Sequence, residues 1–156
     1  MTLKKLRLSK GLTQEEVSKL LGITRRTYIK YEQNENNIPK SKKDYIYYVL
    51  EKYGFVDEEH GILDLEKIKL ICKSVFDQYE VNYAYLFGSY AKGKASNTSD
   101  IDILISMNIS EYNYFELIED LREKLKKKID LLDISQINNN AILINEILKD
   151  GIKIYG

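Results

Sequence analysis

The chain holds one cysteine, one histidine and one proline in 156 residues, and no tryptophan. A lone thiol, Cys72, cannot close an internal disulfide and finds no second thiol for a Cys-based zinc site. It lies in an amphipathic helical pattern, which makes it a small buried apolar residue. His60 sits between acidic residues and a glycine, in a stretch with linker character. That context suits a solvated or linker-packing side chain better than a catalytic one. No apolar run is long enough to cross a bilayer. The opening Met1-Thr-Leu-Lys-Lys-Leu-Arg7 lacks the apolar core of a secretion signal. These absences point to a cytoplasmic protein without membrane spans or a disulfide framework.

Net charge is also zero, but it is unevenly placed. Residues 1–56 carry twelve Lys or Arg against six Asp or Glu, a net +6. Residues 57–156 carry twelve against eighteen, a net −6. Such asymmetry predicts a nucleic-acid-facing N-terminal module joined to an acidic C-terminal one.

The N-terminal part reads as four short helices. Leu3 to Lys10 is the first, ended by Gly11. Thr13-Gln-Glu-Glu16 is a capping box that opens the second, which runs to Leu21. Thr24 caps a third, through about Glu32. The polar run Gln33 to Asn37, with Pro39 after it, is a loop. Lys42 to Tyr53 forms the fourth, ended by Gly54. The expected core is Leu6, Leu12, Val17, Leu20, Leu21, Ile23, Tyr28, Tyr31, Tyr45 and Val49. Gly54 to Leu63 reads as a linker. Beyond it, Ile68, Ile71, Val75 and Tyr79 recur at helical spacing. Strands are expected at about 82–87, 101–107 and 129–134, with a helix from Glu111 to Lys127. The Lys124, Lys126, Lys127, Lys128 cluster reads as a solvated helix end that suits the helix dipole.

One segment carries chemistry: Tyr85-Leu-Phe-Gly-Ser-Tyr-Ala-Lys-Gly-Lys-Ala-Ser-Asn-Thr-Ser-Asp-Ile-Asp-Ile-Leu-Ile105. An apolar strand ends in Gly88-Ser89, and a second apolar strand opens with Asp100-Ile101-Asp102. Side chains alternate along a strand, so Asp100 and Asp102 share a face while Ile101 and Ile103 take the other. Adjacent carboxylates repel unless a cation lies between them. Hard oxygen ligands suit Mg²⁺, which takes one or two carboxylates plus substrate phosphates. Gly88 lets the backbone approach a phosphate closely, and Ser89 with the following amides can donate to phosphate oxygens. An isolated Asp-x-Asp is more often a solvated strand end. Joined to the Gly-Ser turn at this distance, it predicts a nucleoside triphosphate and metal site.

Gly88-Ser89, ten residues, then Asp100-x-Asp102 resembles the signature of the DNA polymerase beta nucleotidyltransferase superfamily. The short length points to its minimal, MNT-type members, found as antitoxins beside HEPN-type toxins. The resemblance runs from about Leu65 to Gly156 and includes the closing Ile144-to-Tyr155 helix and strand. It implies a third carboxylate on a neighbouring strand, supplied within Lys128 to Ile134. Asp130 is the better match, since it opens the apolar run as the family's third Asp does; Asp133 has opposite strand parity, so both cannot face the same metals. Many members carry Arg at the positions of Tyr90 and Lys92; Lys92 keeps the charge and Tyr90 does not. By this resemblance Asp100, Asp102 and Asp130 are catalytic and hold two Mg²⁺ ions, and Gly88, Ser89 and Lys92 cradle the phosphates of ATP.

Leu12 to Glu32 resembles the helix-turn-helix of lambda-repressor-like, XRE-type domains, in its Thr-Gln-Glu-Glu opening, its Leu-Gly turn and the Glu after the recognition helix. That implies a third helix in the major groove. Arg25 and Arg26 would reach base edges near Thr24, and Gln14, Lys30, Lys40, Lys42 and Lys43 would touch phosphates. The expected fold is therefore α+β: an all-α helix-turn-helix domain at 1–56, then a small mixed-sheet nucleotidyltransferase domain at 64–156. The expected function is Mg²⁺-dependent transfer of AMP from ATP to a macromolecular acceptor, a HEPN-type toxin by resemblance, with operator binding by the helix-turn-helix and a homodimer on a two-fold site. The alternatives are a non-catalytic repressor whose C-terminal domain binds nucleotide or partner, and a toxin that modifies tRNA.

Overall fold

The computed structural model describes residues 1–108 and 110–156, with Glu111 by its backbone only. The chain forms two compact units, Met1–Phe55 and Val56–Gly156.

The first unit is all helical: α1 (Leu3–Ser9), α2 (Gln14–Leu21), α3 (Arg25–Gln33) and α4 (Lys40–Lys52), with one 3₁₀ turn at Glu35–Asn37. Local chemistry sets the boundaries. The Thr13 hydroxyl accepts from the Glu16 amide while the Glu16 carboxylate accepts from the Thr13 amide, closing the capping box at the start of α2. Gly22 ends that helix at φ +66°, a left-handed conformation that glycine adopts without strain. Thr24 then caps α3 through the Thr27 amide.

Leu3, Leu6, Leu12, Val17, Tyr28, Ile38, Ile46 and Leu50 form the core, with Leu21, Ile23 and Tyr31 packed at its edge. The structure corrects the expected core in α4. Tyr45 is exposed and Val49 half-buried, while Ile46 and Leu50 point inward, a rotation of one residue. Leu20 is exposed as well.

A buried ion pair joins three of these helices. Arg7 donates through Nε to Glu32 Oε1 at 2.5 Å and through Nη1 to the Leu12 carbonyl at 2.8 Å. Gln14 Nε2 donates to Glu32 Oε2 at 3.0 Å. The glutamate that closes the helix-turn-helix pattern is thus the acceptor that ties α3 to α1 and α2. Side-chain bonds from Arg7 and Gln14 hold its carboxyl below the ordinary range against the upward push of burial.

The second unit contains α5 (Leu65–Phe76), β1 (Val81–Phe87), α6 (Gly88–Ala91), β2 (Ile101–Met107), α7 (Glu111–Leu125), β3 (Ile129–Asp133), α8 (Ala141–Asp150) and β4 (Ile152–Tyr155). The four-stranded sheet has the order β3-β2-β1-β4. β1 pairs antiparallel with β2 and with β4, whereas β2 and β3 are parallel. A parallel pair needs a crossover, and α7 provides it.

One sheet face packs on α5 and α7 through Ala84, Leu86, Ile101, Ile103, Ile105 and Leu131, against Ile68, Cys72, Val75, Leu117 and Leu121. Cys72 is buried there, as its helical pattern predicts, and burial pushes its thiol up to about 12. Phe87, Leu104, Ile137 and Ile147 form a smaller core on the other face, under α8. The α+β class expected from the sequence is the one observed. Among the described residues no helix is long and apolar enough to cross a membrane.

The Arg7–Glu32 pair gives a test. Glu32→Ala leaves Arg7 buried without its charge partner, so urea unfolding of the first unit should show a loss of about 3 kcal/mol.

Candidate active site

β2 and β3 run side by side in register, Ile101 opposite Ile129, Asp102 opposite Asp130 and Ile103 opposite Leu131. Asp102 and Asp130 therefore sit on adjacent strands at the same level. Ile101 and Ile103 take the α5/α7 face of the sheet, so alternation turns Asp102 and Asp130 to the α8 face. Asp102 is half-buried and Asp130 exposed. Asp100 lies one residue ahead of β2, half-buried, and adds to the negative field at Asp102.

Burial first, then the Asp130 carboxylate, then Asp100 and Glu146, push the Asp102 carboxyl up to about 6. A carboxylate in that field calls for a cation. Among the described residues no three His, Cys, Asp or Glu converge into a ready-made metal cage. Mg²⁺ needs less, because one or two carboxylates suffice when phosphate oxygens complete the shell. Asp102 and Asp130 fit that requirement, with Asp100 close by.

Asp133, the other acidic residue of the β3 segment, is used locally. Its carboxylate accepts from the Ser135 amide at 3.0 Å and the Ser135 hydroxyl at 2.5 Å. It caps the 3₁₀ turn Ile134–Ile137 in a capping box with Gln136. Its parity, opposite to that of Asp130, matches this separate role.

The Gly88 turn abuts the same carboxylates. Gly88 has φ +70°, and a Cβ there would overlap Asp102 Oδ2 and lie 2.9 Å from Asp102 Cγ. Conformation and space both require glycine at this position. The close approach expected toward a phosphate is thus made first toward Asp102. Ser89 follows in the single turn of α6, and its carbonyl accepts from the Lys94 amide at 2.9 Å.

Tyr90, the residue that departs from the Arg of many family members, points into the α5/α7 core. It is 9% exposed, so its side chain lies inside the fold and supplies no cation to the site. Lys92 Nζ is 2.7 Å from Glu146 Oε1 on α8. The Glu146 bond is the main cause that holds the Lys92 ammonium above its ordinary pKa, with weaker help from Asp150 and Asp102. Glu146 is a site-flanking residue that sequence reading missed. Its position in an amphipathic helix carries no motif, and only the packing of α8 beside α6 brings it near Asp102.

In the first unit, Thr24 caps α3, and Arg25, Arg26 and Lys30 are exposed along it. Among the described residues these three cations make no ion pair. Gln14, at the start of α2 and half-buried, donates through Nε2 to Glu32 Oε2.

The Asp102 shift has a consequence for stability. Its folded pKa, about 6, lies above the ordinary 3.8, so the neutral carboxyl favours the folded state. That contribution is complete below pH 3.8 and is lost as pH rises through 6. Asp102→Asn should therefore stabilise the metal-free protein at pH 8 by about 1–2 kcal/mol, allowing for screening at a half-exposed group. Thermal melts at pH 4 should show almost no difference between the two proteins.

Comparison with known proteins identifies the two segments. The family described as Helix-turn-helix matches residues 3–42. A protein of Methanocaldococcus jannaschii, whose name proposes protein adenylyltransferase activity, is 42% identical over 79 residues, covering 48% of this chain and 76% of the relative. The protein adenylyltransferase MntA of Shewanella oneidensis is 31% identical over 74 residues, covering 46% of this chain and 52% of that protein. A solved toxin–antitoxin structure with AMP-PNP is similar at a TM-score of 0.48 and 26% identity, over 59% of this chain and 74% of that one. The family described as Polymerase beta, Nucleotidyltransferase matches residues 66–156, more than half of the chain and all four strands, and the chain belongs to it.

Proposed function

We propose that this nucleotidyltransferase moves AMP from ATP to a hydroxyl on a protein partner, the toxin of a toxin–antitoxin pair, and binds the operator of its own operon. In this reading residues 64–156 are the catalytic domain and residues 1–56 the DNA-binding domain. The observation that carries it is the parallel register that places Asp102 beside Asp130 against the Gly88 turn. Relatives named for protein adenylyltransferase activity support the choice of nucleotide and of a protein acceptor.

Asp100, Asp102 and Asp130 would hold Mg²⁺, two ions by family resemblance, which when bound neutralises the triphosphate and acidifies the acceptor hydroxyl. The chain's own groups do the rest. Ser89 and the amides of the α6 turn donate to phosphate oxygens. Lys92 exchanges Glu146 for the triphosphate, since its ammonium is already at the rim. The acceptor oxygen attacks the α-phosphorus, one O–P bond forms, and the bond to the bridging oxygen breaks. Pyrophosphate leaves with the electron pair, and the hydroxyl proton passes to Asp130 or to solvent.

The exposure of Asp130 supports a macromolecular acceptor. A small acceptor needs a pocket that buries most of its surface. Two grooves of about 690 and 630 Å³ are present in this unit, but they are lined by residues other than the three aspartates. An acceptor protein brings its own surface to complete an open site.

Radiolabel transfer from α-labelled ATP with Mg²⁺ into a lysate of the source cell tests the reading. A labelled protein band is expected, and it should vanish with Asp100→Asn, Asp102→Asn. A labelled RNA band would point to tRNA modification instead. No label with any nucleotide would leave a non-catalytic repressor.

DNA binding is tested with the sequence upstream of the gene. Arg25→Ala or Arg26→Ala should cost about 1–3 kcal/mol and relax selectivity at one base position. Lys30→Ala should weaken all sequences alike and reduce the salt slope by about 1.

A further inference from the structure

Lys127 is completely buried, although it stands in a run of lysines that reads as a solvated helix end. Its ammonium donates to the Asn97 carbonyl at 2.6 Å and the His60 carbonyl at 3.2 Å. Both acceptors are neutral. Asp57 acts on it through the field, and burial pulls its pKa down. Burying an ammonium against carbonyls alone is costly, and an apolar side chain of similar length would fill the space without that cost.

The positions of its partners supply a reason. Asn97 lies three residues before Asp100, and Lys127 lies three residues before Asp130. The 96–99 turn is held internally by Ser99 N–H to the Ser96 carbonyl and Ser96 N–H to Ser99 Oγ, bonds that do not attach it to the rest of the domain. Lys127 attaches it. Next along the chain, the Lys128 carbonyl accepts from the Ile101 amide at 2.9 Å, the first rung between the two strands. Lys126 at φ +61° ends α7 in the left-handed conformation and turns the chain so that Lys127 points inward.

We infer that Lys127 is a positioning residue for the nucleotidyl-transfer site: its buried ammonium locks the 96–99 turn to the start of β3, and so fixes Asp100 and Asp102 relative to Asp130. The inference rests on the proposed role of those three carboxylates. Lys127 touches neither nucleotide nor acceptor.

The test measures Mn²⁺ affinity of the full chain with a non-hydrolysable ATP analogue, by the loss of the free Mn²⁺ resonance signal, beside turnover in AMP transfer. Lys127→Met should weaken Mn²⁺ binding about 10–100-fold and lower turnover to a similar degree, as loss of groups that orient metal ligands does. Leu121→Ala removes core packing from the same helix and should lower the melting temperature while leaving Mn²⁺ affinity unchanged. Ser99→Ala loosens the same turn without disturbing the buried ammonium and should weaken Mn²⁺ binding in the same direction, more mildly. This second variant carries the test if Lys127→Met fails to fold. Wild-type Mn²⁺ affinity in both Lys127→Met and Ser99→Ala would overturn the inference, as would an equal shift in Leu121→Ala. Asp102→Asn separates the two levels. Retained transfer in that variant overturns the reading of the carboxylates and the inference with it. Lost transfer with an unaffected Lys127→Met overturns the inference alone.

Discussion

The second unit is organised around one unfavourable contact. Parallel pairing of β2 and β3 sets Asp102 opposite Asp130, and among the described residues neither makes an ion pair. The register cannot slip to relieve the repulsion. A one-residue shift would turn Ile101, Ile103 and Ile105, all fully buried, out of the α5/α7 core. Apolar burial on one face of the sheet thus holds two like charges together on the other. If this is the metal site proposed above, it would be prepared for a divalent cation before any arrives, because the cost of gathering the charges has been met in folding.

The Gly88 turn depends on the same arrangement. It is glycine for its left-handed backbone and for the Asp102 carboxylate that occupies the space of a side chain. The turn that would cradle phosphates and the strand that would hold metal are therefore in van der Waals contact. Movement of one displaces the other. On the far side, α8 contributes Ile147 to the small core and Glu146 to Lys92, so the same helix that covers the sheet also holds Lys92 in place. The Lys92–Glu146 pair is partly exposed and only moderately strong, which suits a bond that a triphosphate can replace.

Much of this was legible in the sequence, and the failures have physical causes. The capping box at Thr13, the glycine at 22 and the alternation around Asp102 act through neighbours in the chain, and local reading finds them. Parity said that Asp130 and Asp133 could not share a face, family resemblance favoured Asp130, and Asp133 is occupied as a cap. The errors arose where tertiary packing decided. In α4, Tyr45 and Val49 offer as good an apolar stripe as Ile46 and Leu50, so the inward face is set by α1 and the chain around Ile38. Tyr90, which does not keep the charge of the family's Arg, packs into the core, a position that the single turn of α6 sets and the sequence alone did not show. Lys127 looked solvated because its neighbours are. Only a left-handed residue at 126, which a lysine adopts rarely, reverses its direction. Glu146 left no trace, since an acidic residue on a surface helix is the ordinary case.

The two units use buried charge in opposite ways. In the first, Arg7 and Glu32 neutralise each other within a core of few residues, and the pair fixes how α3 lies on α1 and α2. In the proposed reading α3 would enter the DNA groove, which needs a rigid helix, and Arg25, Arg26 and Lys30 are exposed along the helix anchored by that pair. In the second, the buried and half-buried charges are left uncompensated: Asp102 faces Asp130, and Lys127 faces carbonyls. Removing the Asp102 charge relieves its repulsion with Asp130 in the free protein, whereas the Lys127 ammonium holds the 96–99 turn through its carbonyl bonds. Such groups make sense when the missing partner comes from outside, a cation and a polyphosphate for the carboxylates, and when a neutral side chain could not hold the turn that presents them. The first unit thus balances its buried charge internally, while the carboxylates of the second would, in the proposed reading, be balanced by a bound cation and polyphosphate.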